Sequence, residues 1–306
     1  MFDQMTPTGF CDRPECAGVG YLVEVISEDE NPALVENSKA LAVYAQAEAD
    51  ENRRAIGLAS LFIDRSPSVF VPVAPPATAT RADLFVASAA GGIFDLRDIS
   101  NPMDAYVAVV TFSSDLEVVL FASLEEIFSR FTTPADLAAF LSQAMRRNNN
   151  GTNINLALNE AKRMRDRLVS SGDLSPWGGP KDVKPIMHTT LTDAGGTIVV
   201  PNYRCVLLSD GEHNGGGALA NPFAGEGVDP LITSYFGDVE DAGAIELQKA
   251  ASFCPEHNAR QFFAVTRPQQ IASLRGLFKM ASASSGFCPM CVPSRSTTTR
   301  MRDAAE

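Results

Sequence analysis

Three short apolar runs, each closing on hydroxyl or carboxylate side chains, constrain this chain more than any other feature. Residues 56–63 read IGLASLFI and stop at Asp64. Residues 104–112 read DAYVAVVTF and stop at Ser113-Ser114-Asp115, and 203–208 read YRCVLL and stop at Ser209-Asp210-Gly211. Runs this long without polar alternation fit strands buried on both faces, as in a parallel sheet covered by helices. Helical patterns stand between and after them. One covers about 82–96. A second starts at Thr133-Pro134, with Leu137, Phe140, Leu141 and Met145 on its inner face. A third carries Ile154, Leu158, Ala161 and Leu168 to about Ser170. Helix 241–252, strand 261–265 and helix 268–282 follow. Such alternation predicts an α/β fold with a mainly parallel central sheet and helices on both faces. The run 116–121 (LEVVLF) follows a tight turn and predicts a hairpin with the strand before it.

Around this core, residues 1–54 read as an N-terminal extension, with a short strand at 21–26 and a helix from Asn31-Pro32 to about Asn52. The core domain is read as 55–283. Within it, 69–80 is a Pro-rich loop and 171–202 holds an inserted hairpin (IMHTTL and TIVV). The stretch 212–237 reads as loop, Gly-rich over 215–229. Residues 284–306 hold a Cys pair and a polar tail.

The chain has 306 residues, 45% hydrophobic and 20% charged, so it can bury a sizeable core. Its net charge of −12 and pI near 4.8 work against nucleic acid and against an anionic membrane surface. No apolar run reaches the roughly 18 residues of a membrane span. The N-terminus lacks the basic and apolar regions of a signal peptide, so a cytoplasmic protein is expected. Composition does not fix the oligomeric state.

Ligands of open α/β sheets sit beyond the carboxyl ends of the strands. Here those ends carry Asp64-Arg65-Ser66-Pro67-Ser68, a D-x-S-x-S spacing; Thr152, in Gly151-Thr152-Asn153 just before a helix; and Asp210, in Ser209-Asp210-Gly211. Two carboxylates and three hydroxyls suit Mg²⁺, which takes octahedral oxygen donors and keeps some water. Without His or Cys the set is a poor one for zinc. Taken singly, Ser and Asp after a strand are also ordinary caps and turn formers.

In this order the motifs resemble the von Willebrand factor A (vWA) domain and its metal-ion-dependent adhesion site (MIDAS). The phrases DAYVAVVTFSS, GTNINLALNEAKRM and CVLLSDGE carry the resemblance, which covers about 55–283. It implies a three-layer Rossmann-like fold. It implies that Ser66 and Ser68 bind Mg²⁺ or Mn²⁺ through their hydroxyls, that Thr152 binds it or lies close, and that Asp64 and Asp210 act directly or through water. An acidic side chain of a partner protein would fill the open metal position, making the site a docking device and no enzyme. Stand-alone vWA proteins of this kind include bacterial ones that work beside ATPases, kinases or stress and defence systems. Arg65 and Pro67 fill the variable slots, and Pro67 is in a position to distort the ligand loop. The insertions at 69–80 and 171–202 are expected close to the metal face.

The alternative is a Mg²⁺-dependent phosphotransferase or phosphatase of haloacid-dehalogenase type. Such enzymes need a second Asp two residues after the first, and that position is Ser66. No G-x-G-x-x-G follows a strand, and no G-x-S-x-G elbow occurs.

Cys11 with Cys16 and Cys288 with Cys291 give C-x4-C and C-x2-C pairs. Four thiolates on two short turns suit structural zinc, which would clip the two ends of the chain together. Free thiols, or one disulfide in each pair, are the alternatives. Cys254 and His257 form a further C-x2-H pair, with Cys254 expected to pack at the end of helix 241–252. Cys205 reads as core, and His213 as a solvated loop residue.

Overall fold

The computed structural model describes residues 55–73, 79–97, 104–145, 151–181, 183–185, 187–191, 197–201, 203–215, 217–224, 231–254 and 259–265. The N-terminal extension, helix 268–282, His257 and the four terminal cysteines lie outside the described residues. The strands are β1 (Ala55–Asp64), β2 (Ala105–Phe112), β3 (Leu116–Ser123), β4 (Lys184–Pro185), β5 (Met187–Leu191), β6 (Thr197–Pro201), β7 (Tyr203–Ser209), β8 (Leu231–Phe236), β9 (Phe253–Cys254), β10 (Ala259–Arg260) and β11 (Phe262–Val265). The helices are α1 (Arg81–Phe94), α2 (Leu124–Arg130), α3 (Pro134–Met145), α4 (Ile154–Ser170) and α5 (Ala242–Ala250).

The main sheet runs β11-β8-β7-β1-β2-β3. Every neighbouring pair on this path is parallel except β2 and β3, which form the expected antiparallel hairpin. β1 is central and hidden on both faces. Ala59, Leu61 and Ile63 pack into one core, with Val107, Val109, Val206 and Leu208 and with residues of α1, α2 and α3. Ile56, Leu58 and Phe62 pack into a second core, with Val110, Cys205 and Leu207 and with residues of α4 and α5. The period of two along each strand thus serves two helical layers at once. Cys205 is fully buried, as the sequence implied.

α4 shows how local chemistry fixes an element. The side chain of Asn153 caps it, accepting from Leu156 N at 3.2 Å. Ile154, Ala157, Leu158, Ala161, Met164 and Leu168 bury its inner face at helical spacing.

Among the elements that the sequence reading missed are α2 and β8. α2 was not expected. Its start is marked by a capping box, in which Glu126 N donates to Ser123 Oγ at 3.2 Å and Ser123 N donates to Glu126 Oε2 at 2.7 Å. β8 lies within the stretch read as loop. Thr233 and Ser234 interrupt its apolar run, yet both are buried because each hydroxyl has a backbone acceptor. Thr233 Oγ1 donates to Leu247 O at 2.9 Å and Ser234 Oγ to Phe263 O at 3.0 Å.

The inserted hairpin forms, with β5 antiparallel to β6. The insertion is not, however, rooted at the metal face. β4 pairs with Ala55 and Ile56, the first residues of β1, and β7 begins beside Leu58. α4 starts at the carboxyl edge of the sheet and runs back. A segment between its end and the start of a parallel strand must therefore leave from the amino edge. Cys254 belongs to the short strand β9.

Candidate metal centre

The strand order reverses at β1. The chain proceeds to β2 and β3 on one side, then returns to lay down β7, β8 and β11 on the other. The crevice at such a reversal lies beyond the carboxyl ends of β1 and β7. Ile63 is in register with Leu208 there, so the next residues, Asp64 and Ser209, sit side by side.

Asp64 is fully buried. Its Oδ1 accepts from Ser66 N at 2.7 Å and its Oδ2 from Ser209 Oγ at 2.5 Å. Ser66 precedes a single 3-10 turn, Pro67–Phe70, without a side-chain capping bond, and Pro67 takes the first position of the turn. Pro67 therefore starts the turn, where no donor is required of it, and does not distort the loop. Ser66 Oγ and Ser68 Oγ are 3.0 Å apart, and Ser68 Oγ donates to Asp210 Oδ1 at 2.6 Å. One network thus links Asp64, Ser66, Ser68 and Asp210.

Thr152 closes the group from the start of α4. Its N–H donates to Asn214 Oδ1 at 2.7 Å, and Asn214 N donates back to Thr152 O at 3.0 Å. Gly151 before it has φ +86, and a Cβ there would lie 3.1 Å from Asn214 Oδ1, so the turn calls for glycine. Gly211 borders the common space. A Cβ on it would lie 3.3 Å from Thr152 Oγ1, 3.5 Å from Ser68 Oγ and 4.0 Å from Asp64 Oδ2. The five residues singled out from sequence therefore surround one small polar cradle.

Four contributors were not foreseen. Ser209 holds Asp64, and its Oγ also accepts from Gly211 N at 3.2 Å. The register beside Asp64 is the clue that would have found it. Arg81, the first residue of α1, places Nη1 2.6 Å from Asp210 Oδ2. No motif spacing predicts that contact. Asn214 braces Thr152, and His213 is half-buried rather than solvated. His213 Nδ1 accepts from Ile154 N at 3.1 Å, and Nε2 lies 2.8 Å from Gly217 O. It serves as a cap for α4. Arg65 is turned away from the cradle. It is buried and bound to Asp115 at 2.9 Å and Glu117 at 3.0 Å, fastening the loop to the β2–β3 hairpin.

Electrostatically the cradle is short of positive charge. Burial raises the Asp64 carboxyl from its ordinary 3.8 to about 6, and the Asp210 charge adds to the rise. Hydrogen bonds from Ser209 and Ser66 oppose it. Arg81 is the cation bound to Asp210 and stands where positive charge is wanted. Two carboxylates, hydroxyl oxygens, a cradle edged by glycine and a stand-in cation fit a hard divalent ion. Among the described residues no three His, Cys, Asp or Glu side chains cluster. No helix among them is long and apolar enough to cross a membrane.

No protein-family model matches the sequence, and no curated protein matches it significantly. Among solved structures the chain is similar to proximal thread matrix protein 1 of the mussel byssus, at 17% identity and TM-score 0.46, over 76% of this chain and 49% of that one. It thus spans about half the length of the mussel chain. A second structure of that mussel protein has a zinc-occupied MIDAS motif. A von Willebrand factor type A structure from Catenulispora acidiphila matches at 17% identity and TM-score 0.43, over 74% and 43% of the two chains. The ArnB paralog VWA2 of Sulfolobus acidocaldarius matches at 14% and 0.35, over 72% and 44%. Among the described residues the strand order, the antiparallel edge strand and the loops gathered at the reversal make an α/β fold with a mainly parallel sheet and helices on both faces, consistent with that of a von Willebrand factor A domain.

Proposed function

We propose that this protein is a divalent-cation-dependent protein-interaction module. Asp64, Ser66, Ser68, Thr152 and Asp210 would hold Mg²⁺ or Mn²⁺, and a carboxylate of another protein would complete the coordination. The observation that carries this reading is the pair of buried carboxylates, Asp64 and Asp210, joined through serine hydroxyls with one arginine to balance them. Hydroxyl donors add no negative charge. A divalent ion would therefore neutralise the two carboxylates and keep an open coordination position. That favours an anionic group on the partner, while the overall charge of −12 repels acidic surfaces at large. The partner that suits both conditions presents one carboxylate inside a neutral or basic surface. In this role the metal supplies Lewis acidity for docking, and the protein's residues supply its position.

The test is a thermal melt in EDTA, Mg²⁺, Mn²⁺ and Zn²⁺, the last because it generally outbinds the other two at a given site. Wild type is compared with Asp64→Ala and Asp210→Ala. A ligand at 100 times its Kd stabilises by about 2.7 kcal/mol. Stabilisation of wild type alone supports the reading. Equal response of all three proteins, or no response to any metal, removes it.

A further inference from the structure

We propose that Arg81 competes with the metal for Asp210, so that the cradle exchanges an internal cation for an external one; this rests on the metal-dependent reading above. Asp210 has a fully buried side chain whose two oxygens are occupied, Oδ1 by Ser68 and Oδ2 by Arg81 at 2.6 Å. A divalent ion in the same cradle meets a guanidinium already on one of its ligands. Two cations sharing a carboxylate in a poorly solvated site repel each other. Binding of the metal therefore favours departure of Arg81, and Arg81 in place disfavours the metal.

The position of Arg81 supports an exchangeable role. It occupies the first residue of α1, the helix end where a positive charge is disfavoured by the backbone dipole. Helix electrostatics do not explain its presence, whereas the contacts with Asp210 and with the face of Phe236, 5.3 Å from the ring centroid, do. The chain is led there by the ends of the Pro-rich loop. Val73 N donates to Ala79 O at 3.1 Å and Arg81 N to Val71 O at 3.4 Å, bringing the start of α1 back to the turn that carries Ser68. Arg81 Nε is buried without a partner among the described residues, as Arg65 Nε is, so exposure is what sets Arg81 apart. Its side chain is 28% exposed, so it can leave toward solvent without opening either core. Arg65, by contrast, is held by two carboxylates with 2% of its side chain exposed, and is a fixed strut.

The experiment is a Mn²⁺ titration of the full chain, reading free Mn²⁺ by electron paramagnetic resonance, on wild type, Arg81→Gln, Arg81→Lys and Asp210→Asn. If the arginine-paired form holds about nine-tenths of the metal-free protein, it weakens the apparent affinity about tenfold. Arg81→Gln is then expected to bind Mn²⁺ about tenfold more tightly and to melt lower in EDTA. Arg81→Lys should fall between, and Asp210→Asn should lose most binding. A merely structural Arg81 would lower the melting temperature without tightening Mn²⁺. A second readout needs no substitution: the Arg81 Nε–H resonance should move on adding diamagnetic Mg²⁺ and return with EDTA. Unchanged or weaker Mn²⁺ binding by Arg81→Gln, with wild type binding normally, overturns the exchange and leaves the metal site standing. If neither wild type nor Arg81→Gln binds Mn²⁺, both readings fall. Binding by Arg81→Gln alone supports the exchange in its strongest form.

Discussion

Ser209 Oγ donates to Asp64 Oδ2 at 2.5 Å, a hydrogen bond that joins the ends of two neighbouring parallel strands, β7 and β1. It ties a fully buried carboxylate to the sheet that presents it. Because the bond favours the ionised form yet burial outweighs it, Asp64 is the residue at which pH bears on stability and on the proposed metal.

In metal-free protein the raised pKa of Asp64 has a definite sign. A group near 3.8 when unfolded and about 6 when folded contributes stability below pH 3.8, and this is lost as pH rises through about 6. Asp64→Asn should therefore gain on wild type as pH rises from about 4 to about 6, by on the order of a few kcal/mol, and hold that gain above. Urea denaturation in EDTA across this range measures it. A difference that does not vary with pH would contradict the assignment. For metal the dependence is opposite, since the ion needs the carboxylate. Affinity should weaken by about tenfold per unit below pH 6.

Gly211→Ala tests the cradle by volume. The new methyl would lie 3.3 Å from Thr152 Oγ1 and 3.5 Å from Ser68 Oγ, filling the space proposed for the ion. The expected result is a small loss of stability in EDTA, about 1 kcal/mol, with the metal-induced rise in Tm abolished. A full metal response in this variant would move the ion elsewhere.

Arg65 separates charge from packing. Arg65→Ala removes a buried stem and should cost about 2–4 kcal/mol, whereas Arg65→Met keeps the stem and removes only a charge that faces two acids whose side chains are 54% and 30% exposed. Arg65→Met is expected within about 1 kcal/mol of wild type, because solvent screens both acids. Equal destabilisation by the two substitutions, measured by urea melts, would show that the ion pairs carry the energy.

Ser123→Ala should cost about 1 kcal/mol through loss of the α2 cap. Glu126→Gln, which keeps a side-chain acceptor for Ser123 N, should cost less. The reverse ranking in thermal melts would point to the charge of Glu126.

The parts of the fold legible in the sequence were those with one dominant pattern. β1 and β7 are nearly continuous apolar runs, broken only by Ser60 and Arg204 before their polar ends, and α4 is amphipathic from cap to end, so their bounds could be read closely. β8 hid because Thr233 and Ser234 look like loop residues until Leu247 O and Phe263 O are in place to accept from them. α2 hid because seven residues are too few for periodicity, and only Ser123 and Glu126 announced it. At the site, Asp64, Ser66, Ser68, Thr152 and Asp210 were named from motif order, and their convergence is a consequence of parallel topology. Arg81 was illegible because its contact with Asp210 depends on the backbone bonds of Val73 with Ala79 and of Arg81 with Val71, which no local pattern encodes.

The root of the 171–202 insertion at the start of β1 has a practical meaning. β1 has ten residues, so at about 3.3 Å each its two ends stand about 30 Å apart. A fluorophore or affinity handle attached near β4 would sit at the amino edge of the sheet, away from the carboxyl edge where the proposed partner would dock. Lengthening or trimming that end alters the size of the protein and leaves the arithmetic of its charged pole untouched.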